Sequence, residues 1–328
     1  VDQSELPCVD IVAPVYNEVG VIGAFHRRLS AALADLPYRF SILYVNDGST
    51  DATADELQSL ADSDPCVQVV ELSRNFGHQA ALTAGLDYAR GDYVITLDSD
   101  GQHPVEMIAQ MLDLARQGYD LVLTQRIDAD EPSSFKRQTS ELFYRLINAV
   151  GNTRVLPGGA DFRLMNRAAV DALRSLPEYH RFLRGMVSWI GFRSVVLPYQ
   201  PAARLGGESK YSLRKMLRLG QDAIFSFSLV PLYAAISVGG LFLVLALAEM
   251  IYVLSFWITG RTEKLAPGWS SLMFVLLVVG GSLMIAVGLI GVYIGYIFQE
   301  SKRRPVYLVR RTIPAENSPN SDRNQLHG

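Results

Sequence analysis

The stretch DYVITLDSDGQHP at 92–104 decides the fold. An apolar run from Tyr93 to Leu97 ends in two carboxylates, Asp98 and Asp100, set one residue apart. Pro104 then opens a helical run that reaches about Gln117 and stops at Gly118. Strand, acidic turn and helix in that order make one unit of an alternating α/β chain. The D-x-D spacing alone says little, because it recurs at Asp62–Asp64 and Asp128–Asp130. Only the surroundings separate the three copies.

The same alternation runs outward through the first part of the chain. CVDIVAPV (8–15), RFSILYVN (39–46), CVQVVEL (66–72) and DLVLTQR (120–126) read as further strands. Helices are predicted from near Glu18 toward Leu36, within DGSTDATADELQSLAD (47–62) behind its Ser/Thr/Asp cap cluster, and over HQAALTAGLDYARG (78–91). Near-continuous apolar strands separated by helices predict a mainly parallel sheet covered on both faces. Such sheets bind ligands beyond the carboxyl ends of their strands. By that rule Asp62–Asp64 lies at the wrong end, and Asp128–Asp130 falls in a polar loop, RIDADEPSS. Asp98–Asp100 sits where a ligand is expected. The first strand delivers Tyr16, Asn17 and Glu18 to the same end, and the second delivers Asn46, Asp47, Gly48 and Ser49. The chain has no G-x-G-x-x-G after its first strand and no G-x-x-x-x-G-K-[ST], which argues against a dehydrogenase and a P-loop NTPase.

Residues two apart in an extended chain face one side, so Asp98 and Asp100 converge, and Gln102 adds a neutral oxygen. Oxygen ligands without His or Cys suit Mg²⁺ or Mn²⁺. Two carboxylates leave coordination positions for water and phosphate, and a divalent ion there neutralises the charge that grows as a nucleoside diphosphate departs. The alternative is an acidic cap for the helix behind Pro104.

A net charge of −3 over 328 residues gives no general affinity for nucleic acid. Two cysteines, Cys8 and Cys66, form no disulfide framework and fit a reducing compartment. The five histidines are scattered, with no pair at zinc-ligand spacing. The first residues lack the basic and apolar regions of a signal peptide, so a cytosolic first domain is expected.

Hydrophobicity gathers late, in the runs 228–258 and 269–298. Both exceed the roughly 20 apolar residues that span a bilayer. Glu249 is the one ionisable residue inside either run. Its cost of about 3 kcal/mol is offset by its apolar neighbours, and it is either a functional acid or an interfacial or hydrogen-bonded one. Lys210, Arg214, Lys215 and Arg218 precede the first run; Lys302, Arg303, Arg304, Arg310 and Arg311 follow the second; the loop TGRTEKLAPG between them carries only Arg261 and Lys264. The positive-inside rule then gives a transmembrane hairpin with both ends cytoplasmic. Gly291 and Gly295 allow close helix packing, within the chain or in a homo-oligomer. KYSLRKMLRLGQDAIFSFS (210–228) reads as an interfacial amphipathic helix. YHRFLRGMVSWIGF (179–192) is either a second such element or a packing helix, and the tail 314–328 is polar and predicted to be disordered.

VAPVYNE (12–18), VNDGSTD (45–51), LDSDGQHP (97–104), GGADFRLMNR (158–167) and RLGGESKY (204–211), followed by two apolar runs, carry a resemblance. Over about residues 8–305 the chain resembles glycosyltransferase family 2, and within it the polyprenyl-phosphate glycosyltransferases related to dolichol-phosphate mannose synthase and bacterial undecaprenyl-phosphate glucosyltransferases. The resemblance implies a GT-A-type α/β domain (1–209), a juxtamembrane interfacial helix (210–228), two transmembrane helices (229–298) and a basic, partly disordered cytosolic tail (299–328). It implies metal-dependent, inverting transfer of a sugar from a nucleotide sugar to a polyprenyl phosphate at the cytoplasmic membrane face, with UDP and glucose favoured and a bacterial inner membrane as the location.

By the family pattern Pro14, Tyr16, Glu18 and Asp47 hold the nucleoside, with Ser99 and Asp98 in the nucleotide site. Asp98, Asp100 and Gln102 organise Mg²⁺ or Mn²⁺ and the diphosphate. Arg126, Arg137, Arg204, Ser209 and Lys210 are placed to meet the lipid phosphate, and RLGGESKY closes over the site. Many relatives carry Asp-Asp where this chain has Asn46-Asp47. Asp161 takes the position usually named the catalytic base and joins Arg126, Arg204 and Lys210 in the catalytic set. A phosphate monoester has a second pKa of about 6 and needs no proton removed near neutral pH, so Asp161 is equally a positioning group for Arg163, donor or acceptor. A processive polysaccharide synthase shares fold and D-x-D, but the chain lacks Q-x-x-R-W and has too few spans for a channel. A non-catalytic nucleotide-sugar-binding membrane module is opposed by polar and acidic residues at the strand ends.

Overall fold

The computed structural model of the chain describes residues 6–127, 156, 158–179, 181–201, 230–260 and 268–314. Two compact units emerge, one of residues 1–219 with 305–328 and one of residues 220–304.

The first unit contains the five expected strands and their helices: β1 (Cys8–Val15), α1 (Ile22–Leu33), β2 (Arg39–Asn46), α2 (Thr53–Ser63), β3 (Val67–Leu72), α3 (His78–Tyr88), β4 (Tyr93–Thr96), α4 (Ile108–Arg116) and β5 (Leu121–Arg126). The first helix starts at Ile22 rather than near Glu18, because Asn17 and Gly20 take left-handed φ values of 51° and 78°. Pro104 opens a short 3₁₀ turn, Val105–Met107, that leads into α4, and Gly118 stops the run with φ 89°. Beyond β5 come β6 (Gly159–Asn166), α5 (Arg167–Ser175), α6 (Leu183–Trp189) and β7 (Ser194–Tyr199), and from the far end of the chain β8 (Val309–Ile313).

One eight-stranded sheet results, in the order β7-β5-β6-β4-β1-β2-β3-β8. β4, β1, β2 and β3 run parallel, as do β5 and β7, while β6 opposes both of its neighbours and β8 opposes β3. The expected GT-A-type, mainly parallel sheet is present, with β6 reversed in its middle. α6 buries Leu183, Met186 and Val187, so the 179–192 segment includes a packing helix.

β1 is central, and Val9, Ile11, Val12 and Ala13 are fully buried there. Val9, Ile11, Ala13 and Val15 share a core with Phe25 and Leu29 of α1 and with Ile108 and Met111 of α4. Each of these side chains larger than alanine contributes roughly 1.5–3 kcal/mol by leaving water. Val12 faces the other way, toward α3, where the approach is so close that a Cβ on Gly85 would stand 2.1 Å from Val12 Cγ1. Glycine inside a helix is ordinarily a liability; here it lets helix and strand touch.

The tail expected to be basic and partly disordered supplies an edge strand. β8 pairs antiparallel with β3, and Arg311 Nε and Arg310 Nη1 reach the buried Glu71 at 2.5 and 3.3 Å. The Tyr307 hydroxyl donates to Asp87 at 2.9 Å. Charge pairing and ladder bonds hold 309–313 in the sheet; of the stretch expected to be disordered, 314–328, all but Pro314 lies outside the described residues.

The second unit is α7 (Val230–Ile258) and α8 (Trp269–Ser301), which pack on each other. Among the described residues one stretch, Val278–Ser301, is long and apolar enough to cross a membrane, and 0% of its most apolar window is buried. Met284, Ile285 and Ile297 are each at least 66% exposed. An apolar surface of that kind fits lipid rather than water.

The Gly85 contact gives a test in which two effects oppose. Alanine is a better helix former by about 1 kcal/mol, whereas overpacking a filled core costs about 1–3 kcal/mol. At 2.1 Å the clash wins. Gly85→Ala is expected to lower the thermal midpoint of the full chain in detergent by several degrees, and an unchanged or raised midpoint would contradict this packing.

Candidate active site

Loops at the carboxyl ends of β1, β2 and β4 meet at one end of the sheet. Those of β1 and β2 are stitched together. Asn17 N donates to Ser49 Oγ at 3.0 Å, Thr50 N to Asn17 Oδ1 at 2.9 Å, and Glu18 N to Thr53 Oγ1 at 3.0 Å. Tyr16 and Glu18, both expected to contact a nucleoside, are half-buried here. Gly48 has φ 62°, and a Cβ there would meet the backbone of Arg74 at 2.3 Å. Only glycine fits this turn.

Asp47 takes a place its sequence position does not reveal. It is 3% exposed, and its two oxygens accept from Phe76 N at 2.7 Å and Gly77 N at 3.0 Å. Burial pushes its carboxyl up, and those two bonds pull against it. Asp47 thereby fixes the turn ahead of α3. Ser99 is likewise turned inward, 4% exposed, and donates to the Pro14 carbonyl at 3.0 Å. This bond ties the β4 loop to β1.

Asp98 follows β4 by two residues. Its N–H donates to His103 Nδ1 at 3.0 Å, which leaves the ring proton on Nε2, 3.8 Å from Asp98 Oδ2. His103 is held in turn by stacking on Phe162, centroids 5.2 Å apart and 19° from parallel. Asp100 Oδ1 accepts from Gln102 N at 3.0 Å. Asp98 Oδ1 is buried and has no hydrogen-bond partner among the described residues. Nearly all buried polar atoms in folded proteins are paired; this acceptor has only the His78 ring nearby, Nε2 at 3.5 Å, and a cation or water would complete it. Among the described residues no three His, Cys, Asp or Glu side chains gather as a metal site. The donor set is therefore two carboxylates, one with an unanswered oxygen, and it fits Mg²⁺ or Mn²⁺ completed by phosphate and water.

β6 runs antiparallel to β4 with Thr96 opposite Arg163, and the Thr96 hydroxyl donates to the Asp161 carbonyl at 2.5 Å, which brings Asp161 to the end of β4 that leads into Asp98. Asp161 is 2% exposed. It accepts from Arg163 Nη2 beside it, from Arg184 Nε at 3.2 Å and Nη2 at 2.9 Å, and lies 3.3 Å from His78 Nε2. Burial pushes this carboxyl up, but Arg184 and then Arg163, with His78, outweigh it and hold it well below the usual carboxylate range. His78 Nε2 also stands 3.5 Å from Asp98 Oδ1, so one imidazole links the two acids. Burial pulls His78 down, yet its bond to Asp161 and the charge of Asp98 leave its pKa raised.

The sheet thus brings together Pro14, Tyr16, Glu18, Asp47, Asp98, Ser99, Asp100, Gln102 and Asp161, and Arg126 ends β5 at the same end. Arg137, Arg204, Ser209 and Lys210 lie outside the described residues, as does the 210–228 segment. His78, His103 and Arg184 are additions. The strand-end rule, applied to β3, leads through 73–77 to His78, and His103 adjoins the D-x-D. Arg184 carries no local signal, since the packing of α6 on β6 delivers it.

Residues 10–174 match the family described as Glycosyl transferase family 2. The chain is 39% identical over 307 residues to the uncharacterized glycosyltransferase YkcC of Bacillus subtilis, covering 94% of each chain. It is 37% identical over 305 residues to the bactoprenol glucosyl transferase of Shigella phage SfV, covering 92% of this chain and 98% of that one. Among solved structures it is similar to mannosyl-3-phosphoglycerate synthase from Rubrobacter xylanophilus at 19% identity and a TM-score of 0.48, covering 80% and 78% of the two chains. That likeness is too distant to carry an argument about function.

The Asp161 cluster has a stability consequence. A carboxyl whose pKa is depressed on folding contributes stability that is present above its unfolded value, near 3.9, and lost as pH falls through the folded value. Removing one partner of a buried ion pair costs about 3–5 kcal/mol. Asp161→Asn is expected to lower the thermal midpoint strongly at pH 7, with the gap to wild type narrowing below about pH 4. A gap independent of pH would refute the ionised cluster.

Proposed function

Because the chain belongs to glycosyl transferase family 2, with bactoprenol glucosyl transferases similar to nearly its whole length, it is a glycosyltransferase, and we propose that it transfers a sugar from a nucleotide sugar to a polyprenyl phosphate with inversion at the anomeric carbon. UDP-glucose is the donor we favour. The observation that carries the reading is Asp98: a carboxylate beyond β4 whose buried Oδ1 has no hydrogen-bond partner among the described residues, with Asp100 two residues on.

Asp98 and Asp100, with Gln102 beside them, would hold Mg²⁺ or Mn²⁺ against the donor diphosphate. When bound, the ion supplies positive charge against the diphosphate that leaves. Tyr16 and Glu18 border the nucleoside, while Asp47 and Ser99 shape its site through the bonds they make to backbone. The acceptor phosphate oxygen attacks the anomeric carbon as the bond to the diphosphate breaks. A phosphate monoester is already mostly a dianion near neutral pH, so no proton has to leave it. A carboxylate held well below its usual range is a weak base, which suits Asp161 to positioning rather than to proton removal. Arg126 offers positive charge at the end of β5, and Arg137, Arg204, Ser209 and Lys210 are assigned to the lipid phosphate from the sequence pattern.

In this reading residues 1–209 form the catalytic domain, 210–228 lie at the interface, and 229–298 cross the cytoplasmic membrane as a hairpin. β8 supports it: its pairing with β3 brings the chain after the apolar helices back to the sheet that precedes them, as a hairpin with both ends on one side requires.

Two measurements test the proposal. The full chain in detergent, given undecaprenyl phosphate and a panel of labelled nucleotide sugars, should release nucleoside diphosphate only with Mg²⁺ or Mn²⁺, and Asp100→Ala should abolish transfer. No metal-dependent release with any polyprenyl phosphate would sink the reading. For topology, with Cys66 and Cys8 replaced by serine, Thr259→Cys should react with an impermeant maleimide from outside intact spheroplasts, and Leu308→Cys only after lysis. Both positions reacting on the same side would rule the hairpin out, and the reverse pattern would rule out cytoplasmic ends.

A further inference from the structure

Hydrogen bonds pin the turn that carries Asp98 and Asp100. Ser99 Oγ donates to the Pro14 carbonyl at 3.0 Å, and Gln102 N donates to Asp100 Oδ1 at 3.0 Å. Gly101, with φ 78°, reverses the chain. His103 closes the turn, its Nδ1 accepting from Asp98 N at 3.0 Å. We propose that His103 is a positioning residue for the Asp98 carboxylate, holding it where a divalent cation and the donor diphosphate would meet it. The assignment rests on the metal-dependent reading above.

The surroundings of His103 fix the ring independently of any ligand. It is 5% exposed and stacks on Phe162 of β6, centroids 5.2 Å apart and 19° from parallel. Tyr199 of β7 meets the same ring edge-on at 5.8 Å, and Phe162 and Tyr199 meet each other at 6.3 Å and 88°. Strands β6 and β7 therefore set the plane of the imidazole. Packing of this kind would be served as well by a phenyl ring. What a phenyl ring lacks is an acceptor in its plane, and that edge is the one the Asp98 N–H meets.

With Nδ1 accepting, the ring proton sits on Nε2, which faces Asp98 Oδ2 at 3.8 Å. That separation is too long for a hydrogen bond, so the firm hold is on the backbone of Asp98. The carboxylate keeps Oδ1 without a hydrogen bond among the described residues. Such a division suits a metal ligand: the main chain is fixed and an oxygen is left to coordinate. A ligating oxygen serves only within about 0.2 Å of its proper distance, and groups that orient ligands are worth about tenfold to a hundredfold in metal affinity.

Two substitutions separate positioning from packing. His103→Phe keeps a ring against Phe162 and Tyr199 and removes the acceptor. His103→Asn gives up the ring and places its Oδ1, one bond beyond Cγ, where Nδ1 stood. The full chain in detergent is titrated with UDP, and in parallel with GDP, in excess Mn²⁺ and again in EDTA, by calorimetry. Thermal midpoints are taken without metal or nucleotide. For whichever nucleotide wild type binds more tightly, the Mn²⁺-dependent affinity is expected to fall about tenfold or more in His103→Phe and to stay within about threefold in His103→Asn. The midpoints should run the other way, with the phenylalanine variant the more stable. An unmoved affinity in His103→Phe, an equal or greater loss in His103→Asn, or the same loss in EDTA each overturns the assignment. Should His103→Phe fail to fold, His103→Leu takes its place as the variant without an acceptor. Should His103→Asn fail, the variant without an acceptor decides alone: a loss confined to Mn²⁺-dependent binding supports the assignment, and an unmoved affinity overturns it. Wild type that binds neither nucleotide in a Mn²⁺-dependent way sinks the metal-dependent reading and this assignment with it. Mn²⁺-dependent wild-type binding with the variants in reverse order sinks the assignment only.

Discussion

Three carboxylates, Asp98, Asp100 and Asp161, are crowded at one end of a sheet, and their mutual repulsion is the constraint around which the site is built. Each receives a different answer. Asp161 is taken out of water and given two guanidiniums, an arrangement that is costly in desolvation and holds only because the pairing is close. Asp100 stays nearer solvent and accepts a backbone N–H from Gln102. Asp98 has two histidines beside it, and its Oδ1, 3.5 Å from His78, accepts no hydrogen bond among the described residues. Asp161 is thus answered within the protein by two guanidiniums, while Asp98 keeps one oxygen without a hydrogen bond among the described residues.

A prepaid arrangement of this kind has kinetic value. Arginine loses much rotamer freedom when it grips a substrate, roughly 2 kcal/mol for a fully mobile side chain. Here the buried carboxylate restrains Arg184 during folding. A charge held in this way is oriented before any ligand binds, which is how fixed dipoles and ions stabilise developing charge with little reorganisation. Under the proposed reading the nucleophile is already an anion and asks for orientation more than for deprotonation, and the wiring of Asp161 suits that demand.

The first five strands were legible because each is a long apolar run bounded by turns, and the rule that ligands gather at carboxyl ends singled out Asp98–Asp100 from its two look-alikes. β6 was harder to read. Asp161 and Arg163 interrupt its apolar pattern, and their pairing, which makes burial tolerable, is visible only in three dimensions. β8 is hidden for a similar reason, since its arginines read as tail until Glu71 is placed opposite them. Asp47 shows a different limit. Sequence places it at a strand end, but only the fold shows its carboxylate turned inward onto Phe76 and Gly77. Arg184 arrives through α6 and belongs to no local pattern.

The edge strand β8 also sets an order of events. β3 and β8 are paired across some 240 positions of sequence, and the two long apolar helices are made in between. During synthesis the sheet must wait with the edge of β3 open until α7 and α8 have emerged and the chain has come back. An open edge is a template for wrong partners, and long-range pairing is slow to form. Completion of the sheet therefore follows synthesis of the apolar segments, so that a chain cut short within them lacks its last strand.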